Sequence, residues 1–402
     1  MNFDHILVHY GEIALKGKNR NYFESRLIQN IKDQLEVFAP DSFGEVKKIS
    51  GGILIKLNKN GLKNTAAIKD ALMHTFGIAN FSFAASSKLN IENLKNICWD
   101  LMKDKTFETF CISTQRSNKQ FPLTSMQINQ EVGGYIFESF RKSAKGGPAS
   151  GGKSVQLKNP DCECFINILN ELALVSSEKI QGPGGMPVGT GGKATVLMSG
   201  GFDSPVAAWY LLKRGVTVNF VHFHSMPFTS KASVEKVIEL IRVLKKFKSS
   251  SILYSIPFAD AQKEIMMKTP ASLRVIFYRR FMMRIAETIA RKEKSLALIT
   301  GDSVGQVASQ TLENILAVSE AATLPIFRPL IGMDKEEIMQ KAREIGTYDI
   351  SKLPHDDCCT RLMPKSPETH AKLKEVLEVE KELDTEKIVM ETIAKAEKIV
   401  VG

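Results

Sequence analysis

Apolar residues recur along the N-terminal part of the chain in alternating strand-like and helix-like patterns. Ile6–Val8 and Gly52–Leu57 are short apolar runs typical of strands. Arg20–Val37 has apolar residues at helical spacing, and Ala66–Thr75 also predicts a helix. The resulting strand–helix–strand–helix order predicts a small α+β unit with a split βαβ arrangement.

The alternation continues up to a glycine-rich stretch, Gln181–Lys193, whose glycines and prolines are typical of a linker. A second glycine-rich and basic stretch, Ser143–Lys153, predicts a loop within this part of the chain. The predicted strands here are Phe81–Ala85, Thr109–Thr114 and Cys164–Leu169, and the predicted helices are Asn90–Lys103 and Thr124–Phe140.

Beyond the linker, strands alternate with longer helices, which predicts a parallel, doubly wound sheet. Ligands bind such sheets at the carboxyl ends of the strands. The final stretch, Glu368–Val400, is rich in Lys and Glu and predicts helix. The predicted strands are Ala194–Met198, Val216–His222, Ser251–Ile256 and Leu296–Thr300, and the predicted helices are Ser204–Lys213, Ser233–Lys246 and Ala271–Arg291.

The composition is that of a soluble globular protein, with 402 residues, 43% hydrophobic and 24% charged. No apolar run reaches the ~18–20 residues that span a bilayer, and the N-terminus lacks the features of a secretion signal. We therefore expect a cytoplasmic protein without a membrane partner. The net charge of +10 is compatible with an RNA partner and equally with a moderately basic protein of another kind. Six cysteines are too few for a disulfide scaffold, which leaves each thiol open to a chemical role.

The strongest local signal is Ser199–Ser204, SGGFDS, between an apolar strand and a helix that opens near Pro205. Gly200 and Gly201 allow a sharp turn with exposed N–H groups, and the helix N-terminus adds partial positive charge. The two serines add hydroxyl donors, so the stretch predicts an anion-binding loop. It is not the common nucleotide P-loop, because no Gly-Lys-Ser/Thr sequence closes it.

This stretch resembles the SGGxDS pyrophosphate-binding loop of the N-type ATP pyrophosphatases, the PP-loop enzymes, which adenylate a substrate and release pyrophosphate. Further segments extend the resemblance to the tRNA 4-thiouridine synthetases of the ThiI type, over nearly the whole chain. Arg116–Gly134 and Gln156–Ile168 resemble the core and the closing hairpin of a THUMP RNA-binding domain. The remaining segments, in family order, are His9–Arg20, Gln181–Asp203, Leu298–Thr311, Phe327–Ile338 and Asp356–Pro367.

The resemblance implies three domains: a ferredoxin-like domain over 1–68, a THUMP domain over 69–176 and a PP-loop ATP pyrophosphatase domain over 177–402. The implied reaction adenylates the uridine at position 8 of tRNA with ATP and Mg²⁺. A persulfide sulfur then replaces the uridine oxygen, and AMP and pyrophosphate are released. Two alternatives stay open, namely adenylation of a sulfur-carrier protein and a non-catalytic RNA-binding protein that retains the nucleotide fold.

Matching positions imply a nucleotide site at the strand ends and the loop. There, backbone groups can read the adenine, a glycine admits close approach and an arginine offers charge to phosphate. Taken singly, Met198 and Phe223 read as core residues and His222 as an ordinary buried histidine. The implied ATP-binding residues are Leu197, Met198, Ser199, Gly200, Gly201, Ser204, His222, Phe223, Arg279, Gly301 and Gln310.

Three further residues are implied to act in catalysis: Asp203, Lys335 and Cys358. Asp203 would hold Mg²⁺ on the pyrophosphate, and Lys335 would stabilise the charge on the departing pyrophosphate, although alone it reads as a surface lysine. Sulfur transfer requires a thiolate carrier. Cys358 and Cys359 are the thiols that follow Cys164, and the family spacing of 23 positions after Lys335 selects Cys358.

Some relatives end in a rhodanese domain with its own persulfide cysteine, whereas this sequence reads to Gly402 without one. We therefore expect Cys358 to receive sulfur directly from a cysteine desulfurase. The thiazole-forming role tied to the rhodanese domain is without support in this chain. The sequence leaves the oligomeric state open, a homodimer included.

Overall fold

The chain divides into two compact units, Met1–Met186 and Pro187–Gly402, each with its own sheet and core. The predicted domain boundaries at 68/69 and 176/177 stay predictions. None of the helices in the described ranges is long and apolar enough to cross a membrane. The structure is a computed structural model that describes residues 3–143, 153–227, 230–247, 251–354 and 366–402.

The first unit is built on strands in the order β2-β3-β1-β4-β8-β7-β5-β6, with β9 paired to β4. The long strand β4 joins two halves, since it pairs with β1 on one side and with β8 on the other. The strands are β1 His5–Tyr10, β2 Phe43–Ile49, β3 Gly52–Leu57, β4 Ile78–Ser87, β5 Thr109–Arg116, β6 Ser154–Val155, β7 Cys162–Ile168, β8 Ala173–Ser176 and β9 Ile180–Gln181. The helices are α1 Arg20–Phe38, α2 Thr65–Met73, α3 Ile91–Met102 and α4 Ser125–Ser143.

Each half of this unit buries its own apolar cluster. Leu27 and Ile31 of α1 and Ile68 of α2 pack with strands of the first half. Leu94 of α3 and Ile128 of α4 pack with strands of the second half. The helical spacing seen in the sequence therefore marks the faces that cover the sheet.

The second unit contains a sheet with strand order β14-β13-β10-β11-β12-β15. All neighbouring strands are parallel except β15, which is antiparallel to β12. The predicted parallel α/β fold is confirmed. The strands are β10 Lys193–Leu197, β11 Thr217–His224, β12 Ser251–Pro257, β13 Leu298–Ile299, β14 Ile326–Phe327 and β15 Glu397–Val401. The helices are α5 Asp203–Lys213, α6 Ala232–Lys245, α7 Ala259–Lys268, α8 Arg274–Lys292, α9 Leu312–Ser319, α10 Lys335–Ile345, α11 Tyr348–Lys352, α12 Leu373–Glu380 and α13 Thr385–Ala394.

The middle of this sheet is covered on both faces, because every residue of β11 after Thr217 is buried. Helix α8 contributes a nearly continuous buried surface to the core, which also includes Leu298 of β13. Because β10, β11 and β13 are parallel, their carboxyl ends and the loops that follow them lie at one edge of this sheet.

The expectation that Glu368–Val400 is helical throughout is wrong at its end. The chain forms α12 and α13 and then the edge strand β15, which pairs with β12 from Ser251↔Val401 to Ser255↔Glu397. The Lys/Glu-rich composition favours helix locally, but the open edge of β12 offers backbone hydrogen-bond partners that the last residues satisfy.

Candidate functional site

A cavity of about 370 Å³ opens at the carboxyl ends of β10, β11 and β13. Its walls come from these strand ends, from α8 and from the segment that follows β13, as expected for a parallel α/β sheet. The predicted residues that line it are Leu197, Met198, Ser199, Asp203, Ser204, His222, Phe223, Arg279, Gly301 and Gln310. The structure thus brings together residues that lie far apart in the sequence.

Ser199 and Ser204 close the loop that follows β10. The Ser204 hydroxyl accepts a hydrogen bond from the Ser199 backbone N–H at 2.9 Å and lies 3.2 Å from the Ser199 hydroxyl. The Gly201 N–H donates to the Ser199 hydroxyl at 3.3 Å. These bonds hold the loop curled against the start of α5, whose first N–H groups have no partner within the helix. Such a turn is suited to an anion.

Gly301 lies two residues after the end of β13 and packs against this loop. A Cβ atom at Gly301 would lie 2.8 Å from both the Asp203 carbonyl carbon and the Ser204 nitrogen. Because both are backbone atoms, a side chain here would displace the start of α5. The glycine is therefore required by the close approach of two backbone segments.

Asp302 organises the charged side of the cavity from a buried position. Arg279 donates to its Oδ1 at 2.5 Å, and Thr300 and Arg328 donate to its Oδ2 at 2.8 and 3.2 Å. Burial by itself raises the pKa of Asp302, but the charge of Arg279, the Thr300 hydroxyl and the charge of Arg328 outweigh it and lower that pKa. Asp302 is therefore an anion that fixes Arg279 at the cavity wall.

Gln310 contacts the same carboxylate, with its side-chain nitrogen 3.4 Å from the Asp302 Oδ1. Its side-chain oxygen is buried and has no hydrogen-bond partner among the described residues. Since an unpaired buried oxygen is costly, a ligand donor is the natural partner for it.

Asp203 and Lys335 meet at the edge of the cavity. The Lys335 ammonium lies 2.9 Å from the Asp203 Oδ1, and Gln306 donates to the Oδ2 at 2.9 Å. Lys335 is the first residue of α10, where Asp334 and Glu337 form a capping box that fixes the helix start. The cap thus fixes the helix start from which Lys335 contacts Asp203.

The other predicted residues occupy clear places. The His222 Nδ1 lies 2.9 Å from the Met198 carbonyl oxygen, which ties the ends of β10 and β11 together. Gly200 and Gly201 form the loop without contributing to the cavity wall. Cys358 and its neighbour Cys359 lie outside the described residues.

The described ranges contain no group of three or more His, Cys, Asp or Glu side chains arranged to hold a metal ion. The Asp203 carboxylate lies at the start of α5 beside the anion-binding loop, and Asp302 and Glu368 also line the cavity. This arrangement suits a cation that takes most of its ligands from phosphate oxygens and water, as Mg²⁺ does.

Comparison with known proteins explains this combination of site and fold. Three family profiles match: the ThiI ferredoxin-like domain at residues 5–82, the THUMP domain at 89–178 and the Thiamine biosynthesis protein (ThiI) at 189–385. A protein from Caldanaerobacter subterraneus named "Probable tRNA sulfurtransferase" is 44% identical over 96% of this chain and 97% of its own length. A Bacillus subtilis protein of the same name is 40% identical over 99% and 96%. The chain belongs to the ThiI family.

A solved structure extends the similarity of this ThiI family member to three dimensions. The crystal structure described as a 4-thiouridine synthetase–RNA complex with bound ATP has a TM-score of 0.88, 36% identity and full coverage of both chains. A protein from Pyrococcus horikoshii shares the fold alone, with a TM-score of 0.64 and 24% identity over 85% of this chain. The ferredoxin-like, THUMP and PP-loop architecture is thereby confirmed.

The sequence interpretation of this ThiI family member missed several residues of the cavity. Asp302 and Gln306 each hold a predicted site residue, Arg279 and Asp203 respectively. The available signal was position, since both belong to the segment directly after β13, where loops of a parallel sheet contact ligands. The other missed lining residues are Val275, Ile276, Met282, Met283, Thr300, Val307, Ala308, Ser309, Pro367 and Glu368.

Proposed function

We propose that this protein is an ATP-dependent, AMP-forming tRNA sulfurtransferase that converts the uridine at position 8 of tRNA into 4-thiouridine. The observation that carries the proposal is the cavity in which the Ser199–Ser204 loop, Arg279 and the Asp203–Lys335 pair converge. The likeness to a 4-thiouridine synthetase–RNA complex with bound ATP supports the substrates.

ATP would bind with its adenosine part in the cavity and its phosphates at the loop. Met198 and Phe223 line the cavity at the ends of β10 and β11, where they can contact the adenine, while the buried Gln310 side-chain oxygen can accept a hydrogen bond from the nucleotide. The loop N–H groups and the start of α5 would hold the phosphates. These roles for the lining residues are part of the proposal.

Asp203 would hold Mg²⁺ together with phosphate oxygens, and the ion would neutralise phosphate charge. Lys335, now paired with Asp203 at 2.9 Å, lies where a second positive charge would stabilise the departing pyrophosphate. In the first step the 4-oxygen of the uracil attacks the α-phosphorus, the bond to pyrophosphate breaks and the N3 proton is released. The uracil then carries AMP as a leaving group.

Cys358 would supply sulfur as a persulfide loaded by a cysteine desulfurase. Its terminal sulfur attacks C4 of the uracil, a C–S bond forms, and AMP leaves with the former carbonyl oxygen. A thiol reductant then cleaves the S–S bond, which gives 4-thiouridine and a mixed disulfide on Cys358. A second equivalent of the thiol restores the cysteine, so that atoms and electrons balance.

The test is a single turnover with unmodified tRNA, ATP, a desulfurase and cysteine, followed by mass analysis of the nucleosides and measurement of pyrophosphate and AMP. We expect Cys358→Ser to release pyrophosphate and leave adenylated tRNA without 4-thiouridine, because AMP departs only when the sulfur attacks. The matched variant Cys359→Ser should retain substantial activity. Loss only in Cys359→Ser would shift the assignment by one residue. AMP formation that does not depend on tRNA would favour a protein acceptor, and no AMP from the wild type would favour a non-catalytic RNA-binding protein.

A further inference from the structure

The short helix α11 lies against the Ser199–Ser204 loop. It follows α10 after Gly346, which ends that helix in the left-handed conformation at φ 81°, and the buried Thr347. The hydroxyl of Ser351 donates to the carbonyl oxygen of Gly201 at 3.2 Å. The Tyr348 and Phe202 rings lie 5.3 Å apart. Thus α11 contacts the middle of the loop, on residues that do not line the cavity.

A buried lysine from another helix fixes the end of α11. Lys236 of α6 is 6% exposed, and its ammonium donates to the carbonyls of Ser351 at 2.8 Å and Leu353 at 2.7 Å. Lysine near the carboxyl end of a helix satisfies carbonyls that lack a partner in the helix. The position of Ser351 is therefore set from both its backbone and its side chain.

The Gly201 carbonyl accepts the hydrogen bond that joins α11 to the loop. In a trans peptide the C=O and N–H groups point in opposite directions, so the bond from Ser351 also sets the direction of the Phe202 N–H. Gly201 has no Cβ to restrict its side of this peptide, so the restraint comes from Phe202, whose φ is −71°, and from the bond that Ser351 donates. A flipped peptide would turn a carbonyl oxygen toward bound phosphate and repel it.

We propose that Ser351 and Lys236 are positioning residues for ATP. Lys236 holds the end of α11, and Ser351 on that helix holds the Gly201 peptide in the orientation that accepts the phosphates. Neither residue needs to touch the nucleotide. The inference rests on the proposed function in one respect, namely that ATP phosphates occupy the Ser199–Ser204 loop.

The test measures the Kd for ATP by calorimetry on the full chain, which does not require turnover. Ser351→Ala should weaken ATP binding roughly five-fold, the effect of one neutral hydrogen bond. Ser351→Thr, which retains the hydroxyl, should restore much of the affinity. The matched control is Ser233→Ala, which removes another buried serine hydroxyl, one that donates to the Ser230 carbonyl. It should leave the Kd unchanged.

Lys236→Met should weaken ATP binding in the same direction, and Lys245→Met on the same helix should not. Lys236 acts through Ser351. The double variant Ser351→Ala/Lys236→Met should therefore bind ATP no more weakly than whichever single variant has the higher Kd.

The affinity for tRNA should be unchanged in all of these variants. A loss in Ser351→Ala below two-fold, or effects that multiply in the double variant, would overturn the inference. A wild type that binds ATP but forms no tRNA-dependent AMP would instead contradict the proposed function, and a wild type that binds no ATP would overturn both.

Discussion

At the scale of single residues, the Asp203 carboxylate is held through both of its oxygens. One of its oxygens accepts from Lys335 and the other from Gln306, while its backbone adjoins Gly301. The carboxylate is therefore held in one orientation before any ligand binds. Asp203 would hold Mg²⁺ through this preoriented carboxylate.

Asp203→Asn should reduce tRNA-dependent AMP formation at least 100-fold, because the amide cannot replace a carboxylate as a ligand of Mg²⁺. The Kd for tRNA should stay within about two-fold, since the change lies in the nucleotide site. Asp260→Asn, which removes an exposed ion pair with Lys395, is the matched control and should behave as wild type. AMP release by Asp203→Asn at the wild-type rate would remove the loop from the mechanism.

Gly301→Ala tests the close approach of backbone segments behind the loop. The added methyl group would lie 2.8 Å from backbone atoms of Asp203 and Ser204, so α5 must shift at its start. We expect ATP to bind more than ten-fold more weakly by calorimetry. Gly332→Ala is the control, because a Cβ there meets no atom within 4 Å. Equal ATP affinity of the two variants would show that the loop can adapt.

The sequence allowed several cavity residues at strand ends to be predicted, but it did not allow the side-chain contacts among them to be predicted. Gly301 and Gln310 follow from the resemblance to known synthetases, and the structure places both at the cavity. Asp302 escaped notice because its importance comes from two arginines, Arg279 and Arg328, that are distant in sequence. Only the fold brings these charges together, so no local pattern announces them.

At the scale of elements, hydrophobic periodicity predicted most of the helices and strands described above, and the errors have physical causes. The predicted helix Ala271–Arg291 begins as a single 3-10 turn at Ala271–Leu273 before α8. The two-residue strand β14 is too short for a period to emerge, and β13 forms only the middle of the predicted strand Leu296–Thr300. Pairing with a neighbouring edge, rather than local propensity, also decides β15.

Helix α12 is fixed to α8 by a buried carboxylate. Glu380 accepts hydrogen bonds from Arg280, which is fully buried, and from Arg284. Burial raises the pKa of Glu380, but the bonds and charges of the two arginines outweigh it and set that pKa at about 2. A carboxyl whose pKa is lowered by folding stabilises the fold above its unfolded pKa and loses that contribution as the pH falls toward the folded value.

Glu380→Gln should therefore lower the free energy of unfolding of the second unit by about 3 kcal/mol at pH 7. The difference from wild type should shrink as the pH falls from 4.5 toward 2. Urea unfolding followed by Trp209 fluorescence, in a Trp99→Phe background, measures it. Glu378→Gln, whose pair with Lys381 is exposed, should change stability by less than about 0.5 kcal/mol. A difference in unfolding free energy between Glu380→Gln and wild type that stays constant across this pH range would contradict the lowered pKa of Glu380.

At the scale of the whole molecule, the nucleotide cavity and the THUMP-matching segment lie in different units, each with its own core. The second unit contains the cavity, while the first contains the segment that matches the THUMP domain. The boundary is visible in the contacts of the first unit. Strand β9 pairs with β4, Gly77 donates to the Gly184 carbonyl at 2.8 Å, and Met186 is buried in the first core. A fragment that ends before Ile180 would lose all of these contacts.

The segment 1–186 expressed alone should fold and bind tRNA. Its cut preserves β9 and Met186, whereas a cut at 176 would remove both. Since contacts to phosphates dominate such binding, we expect its Kd to rise steeply with salt, with a log–log slope close to that of the full chain. Fluorescence anisotropy with labelled tRNA at several salt concentrations measures this slope, and circular dichroism of the fragment verifies its folding.

The complementary segment 187–402 is the control and should bind tRNA at least ten-fold more weakly than the full chain. If instead 187–402 binds as tightly as the full chain while a folded 1–186 does not bind, tRNA recognition belongs to the catalytic unit.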